Sequence, residues 1–197
     1  MGSRRNWQRN YSIEMILSKR QPPWPNSVVV VLDHLKGGYN AAKIVRSASA
    51  FGCQEVHFVN VPIFDPAPAK GCLRQTFTKT FTNMDDSFAD LKGQGFTVYA
   101  LDSRAERCLG DFTLPERTAF VVGHEEYGLS FSPEALGVEK IKIRQFGKVE
   151  SLNVSIAASM ACYEYTRQQT VKRLFEKSIR NMSDHALSIS SQSEFGL

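Results

Sequence analysis

The sequence predicts an α/β protein: a mostly parallel sheet with helices on both faces. Two observations carry this expectation. Apolar, β-branched runs alternate along the chain with segments of helical period, as they do in open parallel sheets. The length of 197 residues, with 42% apolar and 22% charged residues, suits one well-buried core rather than two ordinary domains.

Taken in order, residues 6–19 fit a short helix with Trp7, Tyr11 and Met15 at i, i+4 spacing. Three prolines within residues 21–25 break it, so this first segment reads as an arm outside the core. Ser27 to Asp33 is a buried strand ending on an acidic residue. Residues 40–51 carry Ile44, Val45, Ala48 and Phe51 at a helical period and stop at Gly52. Glu55 to Asn60 is the second strand, and the proline-containing stretch 61–71 an irregular loop. A helix over Met84 to Lys92 is ended by Gly93 and Gly95. Strands follow at Phe96 to Leu101, Thr118 to Val122 and Lys140 to Ile143, with a short helix near Pro133 to Leu136 before the last. A long helix is expected from about Ser151 to Ser178, then a frayed, serine-rich end over 182–197.

The net charge of +4 is unevenly placed. Arg4, Arg5, Arg9, Lys19 and Arg20 crowd the first twenty residues, and Arg167, Lys172, Arg173, Lys177 and Arg180 the last thirty-one, while the body between is slightly acidic. Basic ends of this kind can draw in a polyanion, although solvated helices carry such charge too. Four dispersed cysteines, with no Cys-x-x-Cys pair, fit a reducing cytoplasm. His34, His57, His124 and His185 lack metal-ligand spacing, so no metal is expected. The longest aliphatic run, Val28 to Leu32, falls far short of the roughly 20 residues of a membrane span.

Ligands of open parallel sheets bind outside the carboxyl ends of the strands, and three polar segments follow strands there. After the first strand come Asn40, suited to capping a helix, and Arg46, a guanidinium among small and apolar neighbours that must find acceptors. After the fourth comes Gly123-His124-Glu125-Glu126-Tyr127-Gly128-Leu129-Ser130, where two glycines permit close backbone approach and Glu125 offers acceptors. After the fifth comes Ser151-Leu152-Asn153-Val154-Ser155, opening a helix lined by small residues.

Together, Asn-x5-Arg, Gly-x-Glu-x-x-Gly-Leu-Ser and Ser-Leu-Asn-Val-Ser, in that order, resemble the three motifs of the SpoU/TrmH family of the SPOUT superfamily, over about residues 27–166. The resemblance implies an S-adenosylmethionine-dependent methyltransferase acting on a ribose 2′-hydroxyl of structured RNA, tRNA favoured over rRNA. It implies a C-terminal deep trefoil knot, a homodimer, a basic arm over 1–25, a methyltransferase domain over 26–166 and a C-terminal extension over 167–197. Arg46 would be the central catalytic residue, gripping RNA phosphate and stabilising the developing alkoxide, with Asn40, Glu125, Ser151 and Asn153 holding it and orienting the ribose. Leu101, Gly123, Ile143, Ser151 and Leu152 match the family's cofactor-binding positions. The chain departs from the family at Ala42 for glycine, at His124 before the glutamate, and at Ile143-Arg144-Gln145 for Ile-Pro-Met. A base methyltransferase of the same superfamily and a non-catalytic RNA-binding assembly factor are the alternatives; Ser-Leu-Asn argues against the first and the intact polar set against the second.

Overall fold

The aliphatic run of residues 28–32 becomes an inner strand of a six-stranded sheet. The structure is a computed structural model that describes residues 2–20 and 26–193, with side chains over 6–20 and 26–181. Its strands are β1 (Asn26–Asp33), β2 (Cys53–Val59), β3 (Thr78–Phe81), β4 (Thr97–Leu101), β5 (Thr118–Val122) and β6 (Glu139–Ile141). They lie in the order β3-β2-β1-β5-β4-β6, every neighbouring pair parallel. Strand side chains alternate between faces, so β1 serves two cores at once. Val28, Val30 and Leu32 pack with one cluster, and Val29 and Val31 with the other.

Helices α1 (Gly2–Ser18), α2 (Tyr39–Ala50) and α4 (Val154–Ser193) cover the first face, and α3 (Met84–Gly93) the second. The small residues of α4 bury Ala158 and Ala161 there, and Ser159 donates to Ser47 Oγ of α2 at 2.7 Å. Asn83 caps α3 by accepting from the Asp86 backbone N–H at 2.9 Å. Among the described residues, no helix is long and apolar enough to cross a membrane.

Three expectations change. Helix α1 is not outside the core: Met15 and Ser18 are buried, Tyr11 packs edge-on against Phe64, and Ser18 Oγ lies 2.6 Å from Thr78 Oγ1. The prolines within 21–25, and the side chains of Arg4 and Arg5, lie outside the described residues. Strand β3, absent from the sequence reading, is a short edge strand held by pairing with β2. Helix α4 begins at Val154, three positions later than expected, and its backbone continues to Ser193 through much of the segment expected to fray.

The connections from β1 lead outward on one side through β2 and β3, whereas β5, β4 and β6 occupy the other. The direction of winding therefore changes between β1 and β5, and a crevice opens at their carboxyl ends, where such sheets bind ligands.

Candidate functional site

The segment after β5 is a tight loop built on a contact that no side chain permits. A Cβ on Gly123 would lie 2.4 Å from the carbonyl carbon and oxygen of Gly128. Gly128 itself has φ +74°, a left-handed conformation suited to glycine. His124 and Gly128 exchange backbone hydrogen bonds of 2.8 and 2.9 Å, closing the loop. The His124 ring accepts from the Glu126 backbone N–H at 3.0 Å and stacks between His34 and Tyr127. Buried Asp33, at the end of β1, accepts from the Ser130 backbone N–H and hydroxyl, both at 2.7 Å, anchoring the far end of the loop.

The same loop carries Glu125 to the start of α2. Asn40 Nδ2 donates to Glu125 Oε1 at 2.7 Å, and the Lys36 backbone N–H donates to Oε2 at 3.2 Å. Asn153 Nδ2 donates to Asn40 Oδ1 at 3.2 Å. One residue from each of three segments thus joins a single relay, Asn153 to Asn40 to Glu125. Partial burial raises the Glu125 pKa, but the Asn40 bond, backbone donors and the nearby His124 outweigh it and hold the carboxyl below its ordinary value. Lys36 pairs with Glu126 beside it.

Capping falls differently from the sequence reading. Gly38 precedes α2, so Asn40 lies in the first turn with its side chain committed to Glu125. Asn153 caps α4, its Oδ1 accepting from Ser155 N–H at 2.9 Å and Ser155 Oγ at 2.6 Å, while its amide nitrogen reaches Asn40. Ser151 stands before that cap, exposed.

A cavity of about 740 Å3 opens at these strand ends, within the range that encloses a small-molecule ligand. Leu101, Gly123, Ile143, Ser151 and Leu152 all line it, as do Glu125 and Asn153. Arg46 does not. It is exposed on α2, and among the described residues its guanidinium makes no hydrogen bond or ion pair. The expectation that Asn40, Glu125, Ser151 and Asn153 hold its guanidinium is not met within one chain: six positions turn Arg46 well away from Asn40 on the helix. Sequence reasoning missed Asp33, whose only signal was an acidic residue closing an apolar strand, the Lys36 amide, and Gln145, which also lines the cavity.

An open, doubly covered parallel sheet with a ligand-sized cavity at its switch point, floored by a glycine loop and rimmed by an amide–carboxylate relay, defines a cofactor-binding α/β enzyme. Residues 27–163 match the SpoU rRNA Methylase family, and the chain belongs to it. It is 34% identical over 177 residues to a tRNA (guanosine(18)-2'-O)-methyltransferase of Thermus thermophilus, covering 86% of this chain and 87% of that protein. Among solved structures it is similar to the TrmH/SpoU tRNA modifying enzyme of A. aeolicus, with TM-score 0.65, 26% identity and 86% of each chain covered. It shares its fold with the SpoU methyltransferase AviRb of Streptomyces viridochromogenes in complex with AdoMet, at TM-score 0.69 and 22% identity, over 77% of this chain and 61% of that one.

Proposed function

We propose that this S-adenosylmethionine-dependent RNA 2′-O-ribose methyltransferase acts on tRNA, as a cytoplasmic homodimer. The observation that carries the reading is the Asn153–Asn40–Glu125 relay, which draws the three motifs onto one cavity rim. The cavity fits the cofactor in volume and in its apolar wall of Leu101, Ile143 and Leu152. S-adenosylmethionine supplies a methyl group already activated on a sulfonium.

The chain's own residues supply position and charge. Glu125, ionised at neutral pH, fixes the Asn40 amide, and Asn40 orients Asn153 beside Ser151 at the rim. Ser151 and Asn153 are placed to orient the ribose. Arg46 is the catalytic cation: its guanidinium grips RNA phosphate and stabilises negative charge developing on the 2′-oxygen. With no side-chain partner among the described residues, it is available to a site completed by a second copy. An apolar groove at the end of the same helix, bordered by Phe51 and by Ile156, Met160 and Tyr163 of α4, supports that pairing, since the three α4 side chains are exposed.

Further support comes from the connection out of β6. The segment after it bonds to the 107–109 loop (Lys142 N–H to Arg107 at 3.0 Å, Leu109 N–H to Lys142 at 2.7 Å), and then α4 returns from the sheet edge to pack on α2. The trefoil knot proposed for this return rests on the family match. The relatives' names and the basic residues of α1 and α4 favour tRNA over rRNA. The four cysteines, all free, favour a reducing compartment.

The test is a map of 2′-O-methyl positions in total RNA from cells with and without the protein, repeated with Arg46→Ala. A tRNA position is expected to lose its methyl group in both, with purified Arg46→Ala at least about a hundredfold slower, a loss of roughly 2.7 kcal/mol of transition-state stabilisation. The mutant retains cofactor binding and dimerisation. Undiminished activity in Arg46→Ala removes that residue from the mechanism, and a methyl group found on a base overturns the reaction class.

A further inference from the structure

Where the family carries Ile-Pro-Met, this chain has Ile143-Arg144-Gln145, and the two replacements go to different places. Arg144 turns outward and pairs with Asp111 at 3.4 Å. Gln145 lines the cavity. Its Oε1 is buried and has no hydrogen-bond partner, a condition shared among the described side chains only by Glu14 Oε2 on α1. Buried amide oxygens are nearly always paired, and leaving one unpaired is destabilising. Methionine would carry no such cost at this position. The amide therefore has a use that the free chain does not display.

Its chemistry narrows the ligand group. A primary amide presents one acceptor and one donor side by side in a plane. The matching arrangement is an exocyclic amine next to a ring nitrogen, the edge through which glutamine pairs with adenine. The other donors of the cofactor have better-suited partners in the same cavity. An ammonium or a ribose hydroxyl finds carboxylates at Asp102, Glu125 and Glu134, whereas Leu101, Ile143 and Leu152 offer apolar surface to a flat ring.

We propose that the Gln145 amide reads the adenine edge of the cofactor, Oε1 accepting from the 6-amino group and Nε2 donating to the adjacent ring nitrogen. This rests on the cofactor assignment above. It makes Gln145 a specificity-determining residue, tightening cofactor binding by a side-chain contact that methionine cannot make.

The experiment is calorimetric binding of S-adenosylhomocysteine, and of its analogue lacking the 6-amino group, to the full chain and to Gln145→Leu. Leucine keeps the bulk and deletes the amide. The variant is expected to bind S-adenosylhomocysteine about tenfold more weakly than the parent. Toward the analogue lacking the 6-amino group, where only the ring-nitrogen contact remains to be lost, the variant should be weakened by a clearly smaller factor, about threefold at most. Gln145→Met, the family's own residue, serves the same comparison where the leucine variant does not fold. Equal weakening toward both ligands, or weakening toward neither, overturns the adenine contact while leaving the cofactor assignment standing. Failure of the parent chain to bind S-adenosylhomocysteine overturns both.

Discussion

Two polar networks centred on carboxylates lie on this sheet, and they are built to opposite ends. Under α3, Glu55 and His57 of β2 are buried, with His57 Nε2 3.1 Å from Glu55 Oε1 and Nδ1 2.8 Å from Ser87 Oγ. Lys79 of β3 donates to Asp90 at 2.7 Å and lies 3.2 Å from Glu55, and Gln94 donates to Asp90 at 2.8 Å. Ligand atoms of Glu55, His57 and Asp90 gather within 4.8 Å of one another, a grouping that histidine spacing along the chain did not predict. The Lys79 ammonium stands among them, in the place a cation would take. At the strand ends, Asn153 and Glu125 of the relay line the cavity, and Ser151 at its rim makes no side-chain hydrogen bond among the described residues. One network closes on itself and holds the fold; the other keeps its capacity for a ligand.

The largest effect that separates them is catalytic. Glu125→Ala frees the Asn40 amide and loosens the rim, and is expected to slow methyl transfer about a hundredfold, roughly 2.7 kcal/mol. Its thermal midpoint should stay within a few degrees of the parent, because the carboxylate is solvent-accessible. Single-turnover rates and thermal unfolding read the two quantities separately. A large stability loss with normal turnover would place Glu125 with the closed network instead.

The closed network should respond the other way. Lys79→Met leaves the buried Glu55 carboxylate without its ammonium, and the expected cost is about 1–3 kcal/mol of stability, reduced from the loss for a fully buried pair because Lys79 is partly exposed. Activity per folded molecule stays unchanged. The pH dependence has a definite sign. Burial pushes the Glu55 pKa up, but His57 and Lys79 outweigh it, so the net shift is below 4.5. Its contribution is present above 4.5 and is lost as pH falls through the depressed value. Burial lowers Lys79, but its bonds to Asp90 and Glu55 raise it above 10.5, so its contribution is present below 10.5 and is lost as pH rises through the elevated value. Denaturant unfolding across pH should show a plateau between these flanks, and Lys79→Met should remove the alkaline one. An unchanged alkaline flank would mean that the ammonium contributes nothing.

This contrast also explains what could be read in advance. Strand β1 and helix α2 announce themselves locally, β1 as an unbroken aliphatic run buried on both faces and α2 as an apolar set repeating at a helical period. Strand β3 does not: Thr78-Lys79-Thr80-Phe81 is short, with three of its four residues polar, and its existence depends on pairing with β2 across a long loop. The site was legible as three motifs, but its wiring was not. Asn40 reads as a cap in isolation, and only the fold brings it to Glu125 and Asn153, 85 and 113 positions away. Arg46 was legible as an anomaly, a guanidinium among small and apolar neighbours, and among the described residues its side chain finds no acceptor. Sequence period reports what a segment buries; it does not report which distant loop supplies a polar partner.

The smallest expected effect tests which part of the open network matters. Lys36 touches the site twice, through an exposed side-chain pair with Glu126 and through a backbone N–H donated to Glu125. Exposed ion pairs gain little, because water screens the charges and two long side chains lose freedom. Only the backbone bond reaches Glu125 of the relay, and Lys36→Met leaves that bond in place. The variant is therefore expected to unfold at the same temperature as the parent and to keep its single-turnover rate with saturating RNA. A drop in that rate would assign the ammonium a part in the chemistry, and a drop of several degrees in the midpoint would make the Lys36–Glu126 pair structural.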